Sequence, residues 1–166
     1  MKLYVMRHGP AEDLADSRAD ADRALTVSGR HRVHSVAKAL LDAREEPLSI
    51  VTSPLVRAVQ TAEIVAIATH LGERGGGVSV RRELAPGRSA HELSLRLASE
   101  GARRVMLVGH EPDLSELVGA LLGSELGVAF DKAMIVGLHL ASAGECRLRF
   151  VLEPKALRFD PAPEDA

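Results

Sequence analysis

The sequence predicts an α/β protein: a single domain with a mostly parallel sheet, helices on both faces and a C-terminal hairpin. Three observations carry this. Short runs of strand-forming residues alternate four times with longer stretches of helical periodicity, and parallel strands need crossover helices that cover both sheet faces. The last two strand-like runs are joined only by Ala141 to Glu145, a hairpin spacing. No internal repeat, linker or second core interrupts the 166 residues, a length that suits one domain. The domain is drawn over 1–159, and the last stretch, 160–166, reads as a loose tail.

Taken in order, Lys2 to Met6 is an apolar run that stops abruptly at Arg7-His8-Gly9-Pro10, a strand feeding a loop. The stretch from Ala11 to Arg23, with Glu12, Asp13, Asp16, Asp20 and Asp22, reads as a solvated acidic loop. Thr26 or Ser28 then caps a helix running to about Arg44. Ser49 to Thr52 is a second strand. Ser53 and Pro54 have the character of an N-cap and a first-position proline, opening a helix to about Leu71 with Leu55, Ala58, Val59, Ala62 and Val65 as its buried stripe. Gly72 and Gly75 to Gly77 end it. Val78 to Val80 is a third strand, and Ser89 to Glu92 reads as a capping box for a helix to about Ser99. Arg104 to Val108 is the strongest strand signal and stops at Gly109-His110-Glu111-Pro112. A helix from about Asp113 to Leu122, closed by Gly123, follows, and Met134 to Leu140 and Arg147 to Leu152 form the hairpin.

Composition narrows the function. With 46% hydrophobic residues, 27% charged residues and a net charge of -2, the chain has neither a disordered composition nor the one-sided basic field that phosphate-backbone binding needs. Tyr4, Phe130, Phe150 and Phe159 are the whole aromatic complement, too few for a base-stacking platform, so no nucleic-acid partner is expected. No apolar run approaches a membrane span, no signal-peptide core precedes Arg7, and a lone Cys146 suits the cytoplasm. Cys146 itself reads as a small core residue.

Ligands of open α/β sheets bind at the carboxyl ends of the strands, and reactive side chains recur there. Arg7 and His8 close the first strand, Arg57 sits a turn past the second, Glu83 follows the third and His110 the fourth. Two guanidiniums and two imidazoles on one edge make a phosphate pocket, because arginine forms forked contacts with tetrahedral oxyanions. An imidazole in such a pocket can attack phosphorus and form a phosphohistidine that water later hydrolyses. Flanking arginines disfavour the imidazolium and keep His8 in its nucleophilic form. His110 donates to the equatorial oxygens, and no metal or other cofactor is called for.

Arg7-His8-Gly9 after the first strand, the block from Ser53 to Ala62 with Arg57, Gln60 and Thr61, and Gly109-His110-Glu111-Pro112 together resemble the histidine phosphatase superfamily, also called phosphoglycerate-mutase-like. Compact length, Ala24-Leu25-Thr26 and Glu83-Leu84-Ala85-Pro86 are most similar to its small phosphohistidine phosphatases of the SixA type. The resemblance implies His8 as the phosphorylated nucleophile, Arg7 and Arg57 as phosphate clamps and His110 as the second histidine. It implies an acidic proton donor near Glu83, with Glu111 second, although SixA-type relatives often lack an obvious one. The implied partner is a phosphohistidine-bearing phosphocarrier protein, with a small phosphate ester as the alternative. A phosphoglycerate-type mutase would need further substrate-binding segments, and a non-catalytic phosphate-binding domain has no use for the full set of His8, Arg7, Arg57 and His110.

Other clusters read as structural. His31 and His34 share a helix face without a third metal ligand at recognisable spacing. Gly75 to Gly77 lacks the Lys-Ser or Lys-Thr of a phosphate-binding loop and is a turn.

Overall fold

In the computed structural model, which describes residues 1–16, 19–127 and 129–161, the strands are β1 (Lys2–Arg7), β2 (Ser49–Thr52), β3 (Val78–Val80), β4 (Arg104–Gly109), β5 (Ile135–Leu140), β6 (Cys146–Glu153) and β7 (Arg158–Asp160). The helices are α1 (Val27–Asp42), α2 (Val56–Ala68), α3 (His91–Ser99) and α4 (Asp113–Leu122). The described strands form one mixed sheet in the order β3-β2-β4-β1-β5-β6-β7. The first four in that order are mutually parallel, and β5, β6 and β7 continue antiparallel from β1.

Period-two alternation along the strands splits the core in two. Tyr4, Met6, Ile50, Met106 and Val108 point to one face and pack on α1 and α2 through Val33, Val36, Leu40, Ala58, Ala62 and Val65. Leu3, Val5, Val51, Val105 and Leu107 point to the other and pack on α3 and α4 through Leu93, Leu114, Leu117 and Val118. No described helix is long and apolar enough to cross a membrane. At the sheet end opposite the catalytic candidates, the buried Glu45 carboxylate accepts from Tyr4 Oη at 2.8 Å, Lys2 Nζ at 3.0 Å and both Arg149 terminal nitrogens. Burial alone would raise its pKa, but these donors hold it down at about 2.

One of the two expected caps serves α1, while two further helix starts and one strand depart from expectation. Thr26 is the N-cap of α1, its side chain accepting from Gly29 N at 3.0 Å, whereas Ser28 lies inside the helix. Helix α2 begins at Val56 after an uncapped Leu55 and ends at Ala68, three residues short of Leu71. Ser53 still extends the sheet, its N–H donating to Val108 O at 3.0 Å, and its Oγ accepts from Leu55 N at 3.3 Å before the helix begins rather than from a helical N–H. Arg57 and Thr61 replace Leu55 and Val59 on the buried side, since the top of this helix faces the polar strand ends. Ala90, not Ser89, precedes α3, and Ser89 Oγ only accepts from His91 N at 3.3 Å. Residues 158–160 form β7 against β6, with Phe159 edge-on to Phe150 at 5.0 Å, so Asp160 is a strand residue. Residues 162–166 of the expected tail lie outside the described residues.

The loop after β1 is clamped to α1 by contacts that leave no room for side chains. A Cβ on Gly29 would stand 2.0 Å from the Pro10 carbonyl oxygen, and one on Gly9 2.5 Å from Val33 Cγ2. Gly72, by contrast, faces open space. Gly29→Ala is therefore expected to cost roughly 1–3 kcal/mol in urea denaturation and to lower activity by shifting Pro10 beneath His8, with Gly72→Ala as the neutral control. Equal midpoints for the two variants would contradict this packing.

Candidate active site

The parallel pairing of β1 with β4 sets Arg7 opposite Gly109, so the next residues, His8 and His110, emerge side by side. Their ring centroids are 5.1 Å apart and inclined at 52°. His8 N extends the ladder by donating to Gly109 O at 3.1 Å. Ala133 N–H bridges Arg7 O and His8 O at 3.1 Å each, although this requires a buried alanine at a left-handed φ of 71°. That conformation costs about 1–2 kcal/mol for a residue with a Cβ and is held here by the two carbonyls it serves.

Two contacts fix the His8 tautomer. Nδ1 lies 2.7 Å from Gly9 O, and a carbonyl only accepts, so Nδ1 carries the hydrogen. Arg57 Nε–H donates to Nε2 at 3.3 Å, and a guanidinium only donates, so Nε2 holds a lone pair. Burial, then the charges of His110, Arg57 and Arg7, lower the His8 pKa to about 3 against the opposing pull of the Gly9 carbonyl. Burial, Arg57 and Arg7 likewise bring His110 to about 4, although Asp20 works the other way. Both rings are neutral near pH 7. Because an unfolded imidazole titrates near 6.5, the unfolded chain binds more protons as the pH falls below that value, and the pair progressively loses the folded state stability from about pH 6.5 down towards 3.

Arg7 and Arg57 are anchored by main-chain carbonyls. Arg7 Nη1 donates to Phe130 O at 2.6 Å, and Arg57 Nη1 to Asp20 O at 2.6 Å. His110 Nε2 is 2.7 Å from Ser53 Oγ. Arg7 Nε and His110 Nδ1 are buried with no hydrogen-bond partner, the condition of groups that an incoming anion would satisfy. Behind the site, Thr61 Oγ1 accepts from Gly9 N at 3.1 Å and donates to Arg57 O at 2.7 Å, tying the loop after β1 to α2.

The structure thus gathers Arg7, His8, Arg57 and His110, but it directs the two expected proton donors elsewhere. Glu83 stands in a 3-10 turn, 42% exposed, with its carboxylate 3.9 Å from Arg96. Both Glu111 oxygens are engaged by Ser115, from N at 3.1 Å and Oγ at 2.6 Å. The carboxylate that does reach the site is Asp20, whose Oδ2 accepts from Arg57 Nη2 at 3.0 Å, in the stretch expected to be a solvated loop beside the active site. Composition could not single it out among five neighbouring acids. Ser53 and Thr61 were also missed as site residues, though Thr61 four residues after Arg57 is the spacing of a side chain bonding back along a helix. Among the described residues no group of His, Cys, Asp and Glu could hold a metal ion, and His31 and His34 are exposed.

Residues 3–76 match the model of the histidine phosphatase superfamily, branch 1. The chain is 40% identical over 148 residues to an uncharacterized protein of Picosynechococcus, covering 86% of this chain and 87% of that one. It is 31% identical over 150 residues to a phosphohistidine phosphatase SixA homolog of Haemophilus influenzae, covering 83% and 87%. The solved structure of the protein histidine phosphatase SixA complexed with tungstate superposes with a TM-score of 0.87 at 27% identity, over 95% of this chain and all of that one. The chain belongs to the histidine phosphatase superfamily, and within it to the SixA-type proteins. Its fold is the phosphoglycerate-mutase-like fold of SixA, and it is a histidine phosphatase.

At about pH 6, nitrogen-15 spectra of the folded chain are expected to show His8 and His110 as neutral rings, with the His8 proton on Nδ1. Protonation of either ring with a midpoint near 6.5 would overturn the electrostatic account.

Proposed function

We propose that the chain hydrolyses phosphohistidine on a protein substrate through a phosphorylated His8. The observation that carries this is the fixed His8 tautomer, which presents the Nε2 lone pair to Arg57 rather than to Gly9. An anion binding there would draw the Arg57 Nε–H onto a phosphate oxygen and release the lone pair for attack. Nε2 then bonds to phosphorus as the bond to the leaving nitrogen breaks. Arg7 and Arg57 neutralise the transferring group, and His110 donates to an equatorial oxygen. In the second step water attacks phosphorus as the phosphorus–Nε2 bond breaks, so the electron pair returns to Nε2 of the neutral imidazole and the water's protons leave with phosphate. The relatives named phosphohistidine phosphatase support the substrate class. The carboxylate nearest His8 among the described residues, Asp20, is held as an anion by Arg23 and Arg57 and has no proton to give, which supports it too, because a protonated imidazole leaves without a donor where an alkoxide does not. The proposal includes a cytoplasmic site of action.

A phosphohistidine protein or peptide is expected to show higher kcat/KM than a panel of sugar phosphates in one buffer. His8→Ala is expected to abolish turnover of both, and trapped wild-type enzyme is expected to carry an acid-labile, base-stable phosphoryl group. A sugar phosphate that matches phosphohistidine would move the assignment to a small-molecule phosphatase. Substantial turnover by His8→Ala would remove the covalent mechanism.

Glu83 can serve as a donor only by leaving Arg96, and only ester substrates need one. Glu83→Gln is expected to leave phosphohistidine turnover within about twofold and to slow alkyl monoesters by roughly tenfold or more. Equal losses on both would assign Glu83 a structural role through Arg96.

A further inference from the structure

We propose that Asp20 sets the phosphate affinity of the site by occupying the edge of Arg57 that a bound phosphate needs. This rests on the reading of Arg57 as a phosphate clamp. The guanidinium has a side edge formed by Nε and Nη2 and an end that carries Nη1. On the side edge Nε–H donates to His8 Nε2 at 3.3 Å and Nη2 donates to the Asp20 carboxylate at 3.0 Å. A forked contact to a phosphate in front of His8 must use this edge, because its Nε–H already points at the nucleophilic nitrogen. The Asp20 carboxylate therefore stands where one phosphate oxygen would go, as a resident anion on the phosphate fork.

The rest of the contact set shows how the exchange occurs without unseating Arg57. The Asp20 main-chain carbonyl separately accepts from Nη1 at 2.6 Å and stays in place when the carboxylate leaves. The other carboxylate oxygen, Oδ1, already accepts from Arg23 Nη1 at 2.9 Å, so the displaced side chain keeps a cationic partner. Arg23 in turn is fixed by Nε–H donation to Glu12 O at 2.6 Å, and Glu12 N–H donates to Ala24 O at 2.9 Å beside the Ala11–Leu25 bridge. The base of this segment is thus closed, and the Asp20 side chain, half exposed while Arg57 is buried, is the part free to rotate. An anion that enters must displace a carboxylate and then sit near it, so its apparent affinity is the intrinsic one multiplied by the fraction of sites where Asp20 has already moved.

The test is tungstate binding to the full chain by titration calorimetry, with Asp20→Asn and Asp20→Ala beside the wild type. Both variants retain the main-chain anchor on Arg57 and are expected to bind tungstate roughly three- to tenfold more tightly, with Asp20→Ala at least equal to Asp20→Asn. With any phosphorylated substrate the same variants are expected to show a lower KM without a higher kcat. Weaker or unchanged tungstate binding in both would overturn the proposal and make Asp20 a residue that orients Arg57 for phosphate. Tungstate binding does not depend on which substrate is hydrolysed, so failure of the phosphohistidine assignment leaves this outcome readable.

Discussion

The site depends on the pairing of β1 with β4. Because β4 inserts between β1 and β2, the ends of these three strands lie next to one another, and the register Arg7 to Gly109 and Thr52 to Val108 brings His8, His110 and Ser53 together. That register is enforced far from the chemistry. A slip of β1 by one residue would turn Tyr4 and Met6 from the α1 and α2 face to the α3 and α4 face and carry Arg7 and His8 out of line with His110. Burial of aliphatic side chains thereby fixes the spacing of two imidazoles, so core packing and catalytic geometry are one constraint.

The pocket so made is strongly electropositive, and the protein accommodates it by keeping the imidazoles out of the charge count. Burial first, and the neighbouring positive charges second, leave protonation of either ring unfavourable, which is why His8 and His110 sit well below the ordinary imidazole range. The guanidinium charges are met mainly by oriented carbonyls, Phe130 O for Arg7 and Asp20 O for Arg57, which hold the side chains without cancelling their field. Carbonyl dipoles preserve the positive potential that a dianion would feel, whereas a full complement of carboxylates would abolish it. Asp20 is the described exception, half exposed and shared with Arg23, and that partial neutralisation is what makes it displaceable.

Features with a local physical cause were legible in the sequence. The α4 boundaries, its closing Gly123 at a left-handed φ of 70° and the ends of β2 and β3 followed from periodicity and turn residues alone. The convergence of Arg7, His8, Arg57 and His110 was legible because each stands just beyond a strand-like run. What stayed hidden depends on partners distant in sequence. Ser53 looks like an N-cap locally, but the sheet claims its N–H and His110 its hydroxyl. Three-residue β7 carries a single apolar residue, so its pairing with β6 leaves no periodic trace. Asp20 differs from its acidic neighbours only in meeting Arg57, a contact across 37 positions.

The placement of carboxylates bears most directly on which bond this site is built to break. Cleaving an alkyl phosphate needs a proton delivered to a departing alkoxide, and the two acids suggested by resemblance are turned towards Arg96 and Ser115. Asp20 is close, yet Arg23 and Arg57 lower its pKa, so near neutrality it is an anion with no proton to give. The group that meets His8 Nε2 is the Arg57 guanidinium, a donor fixed on positive charge, suited to holding a phosphoryl group rather than to protonating what departs. Such a site would suit a leaving group that brings its own proton, and the proposed phosphohistidine substrate offers one, since an imidazole nitrogen can carry a proton near neutral pH where a sugar alkoxide cannot.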